Sequence, residues 1–164
     1  MKFQFSDSKL ANGSVVYLPE ERAFQTRPTP PHAGSIQVNE IELLIAISGR
    51  IVGLSGFCPH DGWVRTALQF PPSNPGAVHC PDGLDVDGIP IRFNKDGRWN
   101  VYYDSDKEVV CISSKTPAAA TTTVEILQGL ALGLEEGHLA QIWVRLPSIA
   151  AANSERVPAT TFLE

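Results

Sequence analysis

The stretch that determines the fold class spans residues 41–62 and reads IELLIAISGRIVGLSGFCPHDG. It opens with an apolar run at 41–47, which a Ser-Gly-Arg turn separates from a second apolar run at 51–54. Gly49, at the centre of the turn, can adopt the positive φ that a tight connection between two strands needs. The stretch therefore predicts a β-hairpin that leads directly into Cys58.

Strand and turn signals recur along the whole chain. Short apolar runs are interrupted by Gly and Pro, of which there are 13 each, a pattern typical of short strands joined by turns. The clearest further hairpin is predicted at 124–146, with apolar residues alternating along 124–134, a turn at 135–138 and a return strand at 139–146. About nine short strands are predicted in all, which favours an all-β antiparallel sandwich or barrel.

The bulk composition limits the classes of protein. The 164 residues suit one domain, predicted at 1–147, with residues 148–164 as a C-terminal extension or tail. A net charge of −5 argues against a nucleic-acid binder, since binding a polyanion requires clustered Lys and Arg. No apolar run approaches the roughly 20 residues of a membrane span, and residues 1–10 lack the apolar core of a signal peptide, so a cytoplasmic protein is expected.

Two Cys-Pro turns carry the chemistry. One reads Cys-Pro-His-Asp-Gly at 58–62 and the other Cys-Pro-Asp-Gly at 80–83, and 19 residues separate His60 from Cys80. The three cysteines are an odd number, which favours thiols used for metal over a disulfide framework. Thiolates and an imidazole on two stiff loops suit zinc or an iron–sulfur cluster, and the glycines let backbone N–H groups approach sulfur.

These turns resemble the two cluster-binding loops of a Rieske domain, which commonly read Cys-Pro-His-x-Gly and Cys-Pro-x-His-Gly. The first loop matches at Cys58, Pro59, His60 and Gly62. The second loop matches at Cys80 and Pro81, with Gly83 in the place of the family's glycine if one residue is deleted. The hairpins at 41–54 and 134–147 look like the family's strands around these loops, so the resemblance covers about residues 12–147, with a metal-loop subdomain at about 56–90.

The resemblance implies a [2Fe–2S] cluster and a role in electron transfer, as a ferredoxin or as the small subunit of an oxygenase or reductase. A reductase or oxygenase component would be the redox partner, and no separate catalytic residues would be needed. By position, Cys58 and Cys80 would bind one iron and His60 the other. The family's second histidine is missing, because position 83 is glycine and the next histidine is His138.

A substitute ligand is then needed to complete a cluster. Asp82 is the nearest, since a carboxylate oxygen can bind ferric iron. His79 is an alternative, although neighbours in an extended chain point to opposite sides and it directly precedes Cys80. Asp61 and Asp85 are further alternatives. Cys111 lies within an apolar run and is predicted to be a buried small hydrophobic residue.

Two other functions fit the same residues. In the first, the fold is kept without a cluster and the chain is a structural or regulatory subunit beside a redox enzyme, with Cys58, His60 and Cys80 as remnants. In the second, these three residues hold a zinc or iron ion with His79, Asp82 or water as the fourth ligand.

Overall fold

The computed structural model describes residues 1–81, 90–93, 97–118, 120 and 122–146. These residues form strands and a single turn of 3-10 helix at His60–Gly62, and no α-helix occurs among them. The first seven strands are β1 Gln4–Asp7, β2 Ala11–Leu18, β3 Ala23–Arg27, β4 Gly34–Val38, β5 Ile41–Ile45, β6 Ile51–Phe57 and β7 Val64–Arg65. The others are β8 Asn74–His79, β9 Ile91–Arg92, β10 Asn100–Asp104, β11 Val109–Ser113, β12 Thr122–Gln128, β13 Leu130–Glu135 and β14 His138–Arg145.

All fourteen strands belong to one sheet. Its order is β7-β10-β11-β14-β13-β12-β2-β3-β6-β5-β4-β9, and β8 branches from β12 to pair with β1. The end strands β7 and β9 have two residues each and one neighbour each, so the described sheet is curled and open. The all-β prediction is confirmed, and the described strands form a curled, open half-barrel in which four pairs are parallel.

The hairpin predicted at 41–54 is present as β5 and β6. Ile41 pairs with Gly56 at one end and Ile45 with Ile51 at the other. Gly49 has a φ of +91° in the connecting turn, as predicted. The apolar run ends as a strand two residues earlier than its composition indicates, because Ile47 lies in the turn and is 93% exposed.

The predicted single strand at 124–134 is wrong. It is two strands, β12 and β13, joined at Gly129, whose φ is +80°. A Cβ at this position would lie 2.7 Å from the backbone oxygen of Arg145, so only glycine allows β14 to pass so close. The alternation continues across the break because a register shift between Glu125 and Leu127 restores the inward face. The turn before β14 is confirmed, with Gly137 at a φ of +83°.

The sheet is buried on both faces where β11, β13 and β14 run side by side. One face packs into the large core, while the other holds a smaller apolar cluster beneath the segment 66–72. Asp104 fixes this segment, because its Oδ2 accepts the Leu68 N–H at 2.9 Å. The smaller cluster consists of Leu68, Phe70, Val109, Cys111, Ala131 and Trp143.

Several predictions fall partly or wholly outside the described residues. Asp82, Asp85 and the extension at 148–164 lie outside them. Within the predicted subdomain at 56–90, β7 pairs with β10, and β8 with β1 and β12, so both are strands of the common sheet. No helix among the described residues has the length and apolarity that crossing a membrane requires.

Candidate metal centre

Cys58 directly follows β6, where the chain leaves the sheet. Its N–H donates to the carbonyl oxygen of Arg22 at 2.7 Å, which extends the pairing of β6 with β3 by one residue. Gly56 has a φ of +117° just before it, and a Cβ there would lie 2.7 Å from the backbone oxygen of Glu40. The backbone at Gly56 therefore passes very close to that of Glu40 just before the loop begins, which only glycine allows.

The sulfur of Cys58 points into the protein. The residue is 6% exposed, and the indole Nε1–H of Trp63 donates to its Sγ at 3.4 Å. Burial raises the pKa of the Cys58 thiol to about 11, although the hydrogen bond from Trp63 acts in the opposite direction. At neutral pH the sulfur is thus a protonated thiol with one weak donor directed at it.

Tyr17 holds the loop from β2. Its hydroxyl donates to the carbonyl oxygen of Cys58 at 2.7 Å and lies 3.2 Å from Nδ1 of His60. A hydroxyl has one proton, so the second contact requires Nδ1–H of His60 to donate to the Tyr17 oxygen. In the neutral ring the lone pair is then on Nε2 of His60, a residue that is exposed. Burial and the nearby Cys58 raise the pKa of Tyr17 well above its ordinary value.

Aromatic rings surround the loop from three strands. The ring of Trp63 lies 4.9 Å from that of Tyr17, 5.1 Å from that of Tyr103 and 6.1 Å from that of Phe24, measured between centroids. Such contacts contribute stability beyond the apolar area that they bury. Trp63 adjoins the Cys-Pro-His loop in the sequence, whereas Tyr17 and Tyr103 reach the loop only through strand pairing and were missed by the sequence analysis.

Cys80 lies at a different part of the sheet. It directly follows β8, is 5% exposed, and its N–H donates to the carbonyl oxygen of Gly49 at 2.9 Å. His79 beside it is half-buried and forms a β-bridge with Arg50. Burial raises the pKa of the Cys80 thiol to about 11. The second Cys-Pro turn therefore begins next to the β5–β6 turn.

The two cysteines lie at opposite ends of β6. Cys58 follows its last residue, whereas Cys80 contacts Gly49, just before its first. A strand of seven residues spans about 20 Å, whereas two thiolates on one metal ion must each lie about 2.3 Å from it. Across the described ranges, no three His, Cys, Asp or Glu side chains are grouped so that they could hold a metal. The structure therefore does not bring Cys80 next to Cys58 and His60.

Of the other predicted site residues, Asp61 and Cys111 lie within the described structure. Asp61 lies 3.8 Å from Arg22 in an exposed ion pair. Cys111 is fully buried within β11, as predicted, and burial raises the pKa of its thiol to about 12. All three cysteines are free thiols. The predicted ligand Asp82 lies outside the described residues.

Tyr17→Phe is expected to lower the free energy of unfolding by about 1–2 kcal/mol, because the buried carbonyl of Cys58 loses its donor. Urea unfolding followed by tryptophan fluorescence would measure the change. Tyr102→Phe is the matched control, since that hydroxyl has only a 3.4 Å contact with the exposed amide of Asn100. Equal losses in the two variants would show that Tyr17 does not hold the loop.

Comparison with known proteins identifies no relative. The chain matches no protein-family model, no curated protein and no solved structure, so the resemblance to Rieske domains rests on the residues of its two Cys-Pro turns and the hairpins around them.

Proposed function

We propose that this chain is a cluster-free Rieske-like module that acts as a structural or regulatory subunit beside a redox enzyme. The separation of Cys58 from Cys80 along β6 supports this proposal most directly. The absence of a histidine at position 83 in the sequence also supports it, because loss of one ligand removes the set of four that a cluster needs.

Hydrogen bonds and ring contacts within the protein fix the loop at 58–63. Trp63 donates to the Cys58 sulfur, Tyr17 donates to the Cys58 carbonyl, and His60 is anchored on the Tyr17 oxygen. Structural metal sites usually provide this kind of restraint themselves. A loop that hydrogen bonds and aromatic packing already hold needs no metal to keep its conformation.

The second candidate is the electron carrier, with a [2Fe–2S] cluster on Cys58, His60, Cys80 and either Asp82 or His79. The hydrogen bond from Trp63 to the Cys58 sulfur favours it, because hydrogen bonds to cysteine sulfur tune the potential of iron–sulfur clusters. This candidate requires Cys80 to leave its contact with Gly49 and approach Cys58.

Metal analysis distinguishes these functions. Protein purified without oxygen is expected to contain neither iron nor acid-labile sulfide in stoichiometric amounts, and to show no visible absorption. Two irons and two sulfides per chain would overturn the proposal in favour of the electron carrier. Stoichiometric zinc without colour would support a mononuclear site instead.

His60→Ala is expected to change the free energy of unfolding by less than about 1 kcal/mol, because His60 is exposed and loses one hydrogen bond to Tyr17 and edge contacts with the rings of Tyr17 and Trp63. Thermal unfolding would measure this. His138→Ala is the control, since that residue is also exposed and its imidazole also makes one hydrogen bond, to the carbonyl oxygen of Met1. A loss of several kcal/mol for His60→Ala alone, together with loss of bound metal, would contradict a cluster-free fold.

A further inference from the structure

A polar cavity lies on the outer face of β4, β5 and β6, away from the Cys58 loop. It has a volume of about 510 Å3, within the range of sites that hold small molecules. The segment 28–33 forms one wall, and a Cβ on Gly53 would lie 3.2 Å from the Pro30 ring. Because Gly53 has no side chain, segment 28–33 packs directly against the sheet and closes one side of the cavity.

The wall beside β3 is rigid. The hydroxyl of Thr26, 1% exposed, accepts the N–H of Leu54 at 2.8 Å and donates to the carbonyl oxygen of Leu54 at 2.7 Å. These two bonds join β3 to β6 across the floor of the cavity. The cavity is therefore formed by paired strands and exists before any ligand enters.

Glu42 brings a carboxylate into the cavity. Its Oε1 accepts a hydrogen bond from the hydroxyl of Ser35, which is 5% exposed. Within the described ranges Oε2 has no hydrogen-bond donor. Among the residues that the structure describes, no lysine or arginine lines the cavity, and the nearby Arg27 is exposed and donates to the side chain of Gln25. Glu42 is therefore the only formally charged group on this described part of the wall.

His32 adds a second acceptor. Its Nδ1 lies 2.8 Å from the carbonyl oxygen of Pro30, and a carbonyl only accepts, so Nδ1 carries the hydrogen. The neutral ring then has its lone pair on Nε2. Hydroxyl oxygens of Thr29 and Ser55 also line the cavity. The wall thus offers a carboxylate and several hydroxyl oxygens that can accept, together with the His32 ring and the side-chain amide of Gln25, whose NH2 is a donor.

We propose that this cavity binds a small organic molecule through an ammonium group, with Glu42 as its counter-ion. An ammonium has three donors and no acceptor, which complements the Glu42 carboxylate and the hydroxyl oxygens of the wall. A charge-assisted hydrogen bond to a carboxylate is stronger than one between neutral groups, so the cation binds more tightly than a neutral molecule of the same shape. The site is independent of the function proposed above, because it shares no residue with either Cys-Pro turn.

Butane-1,4-diamine and butane-1,4-diol are matched probes, since they differ only in their end groups. Titration of the 15N-labelled full chain at neutral pH is expected to give saturable shifts of the Ser35, Glu42 and Ser55 amides with the diamine. The diol is expected to bind about tenfold more weakly or worse. No saturable shift with the diamine, or equal responses to both probes, would overturn the proposal.

Glu42→Gln provides the second arm of the test. The amide oxygen can still accept from Ser35, so the fold is kept while the negative charge is lost. Affinity for the diamine is expected to fall about tenfold. Glu21→Gln, which removes the same charge from an exposed turn, is expected to leave it unchanged. Equal affinities for the Glu42→Gln and wild-type chains would overturn the proposal whatever the iron analysis shows.

Discussion

Gly56→Ala is expected to lower the free energy of unfolding by about 4 kcal/mol, because the added methyl group strains the backbone and overlaps the neighbouring chain. The φ of +117° is unfavourable for alanine and costs about 1–3 kcal/mol. The added Cβ would also lie 2.7 Å from the Glu40 oxygen and 2.9 Å from the Cα of Ile41, which adds an overpacking cost of about 1–3 kcal/mol. Equilibrium urea unfolding would measure the loss.

Substitutions at two other glycines distinguish the cost of the positive φ from the cost of overpacking. Gly49→Ala has the strained φ of +91° but open space around the new Cβ, so it is expected to cost only the conformational part. Gly62→Ala has open space and no positive φ, and is expected to be nearly neutral. A Gly56→Ala variant no less stable than Gly49→Ala would show that the backbones of β5 and β6 do not approach as closely as described.

Stability is expected to fall by about 4 kcal/mol between pH 8 and pH 10 because of the three buried thiols. Burial raises the pKa values of Cys58 and Cys80 to about 11 and that of Cys111 to about 12, from 9.0 in the unfolded chain. Above pH 9 the unfolded thiols ionise while the folded ones remain protonated. The stabilisation that the protonated thiols contribute is therefore fully present below pH 9, and it is lost as the pH rises towards their pKa values in the folded chain. At pH 10 the loss is about 1.4 kcal/mol per thiol.

Cys111→Ala is the control for this pH dependence. It lowers stability at every pH by leaving a small cavity, but it is expected to reduce the loss between pH 8 and pH 10 by about a third, since one of three thiols is gone. Chemical unfolding at the two pH values would measure both. Thiolates bound to a metal would give the opposite sign, with stability falling as pH decreases. That result would also argue for the electron carrier.

Much of the strand pattern could be predicted from adjacent residues. The alternation of apolar residues and the glycine at position 49 sufficed to predict the β5–β6 hairpin, and Gly137 marked the turn before β14. Burial of Cys111 followed from the apolar residues around it. These features depend on local periodicity and on which residue can adopt a positive φ, so they are encoded within a few positions of where they appear.

The break at Gly129 was missed for a physical reason. A register shift after Glu125 keeps apolar residues on the inward face of both β12 and β13, so the alternation reads as continuous. What requires a glycine is the backbone oxygen of Arg145, which lies sixteen positions further along the chain. Strand periodicity cannot reveal a constraint that a distant strand imposes.

The geometry of the candidate site depends on contacts between strands that lie far apart in the sequence. Tyr17 reaches the Cys58 loop from 41 positions away, and nothing near Tyr17 in the sequence indicates a partner. The interval of 19 residues between His60 and Cys80 is compatible with two loops that meet, but it does not say which end of β6 the second loop approaches. Here β8 pairs with β1 and β12, and Cys80 reaches Gly49. The residue types present in the two Cys-Pro turns could therefore be read from the sequence alone. How far apart these turns lie is set by the tertiary structure, because strand pairing depends on burial of the whole core.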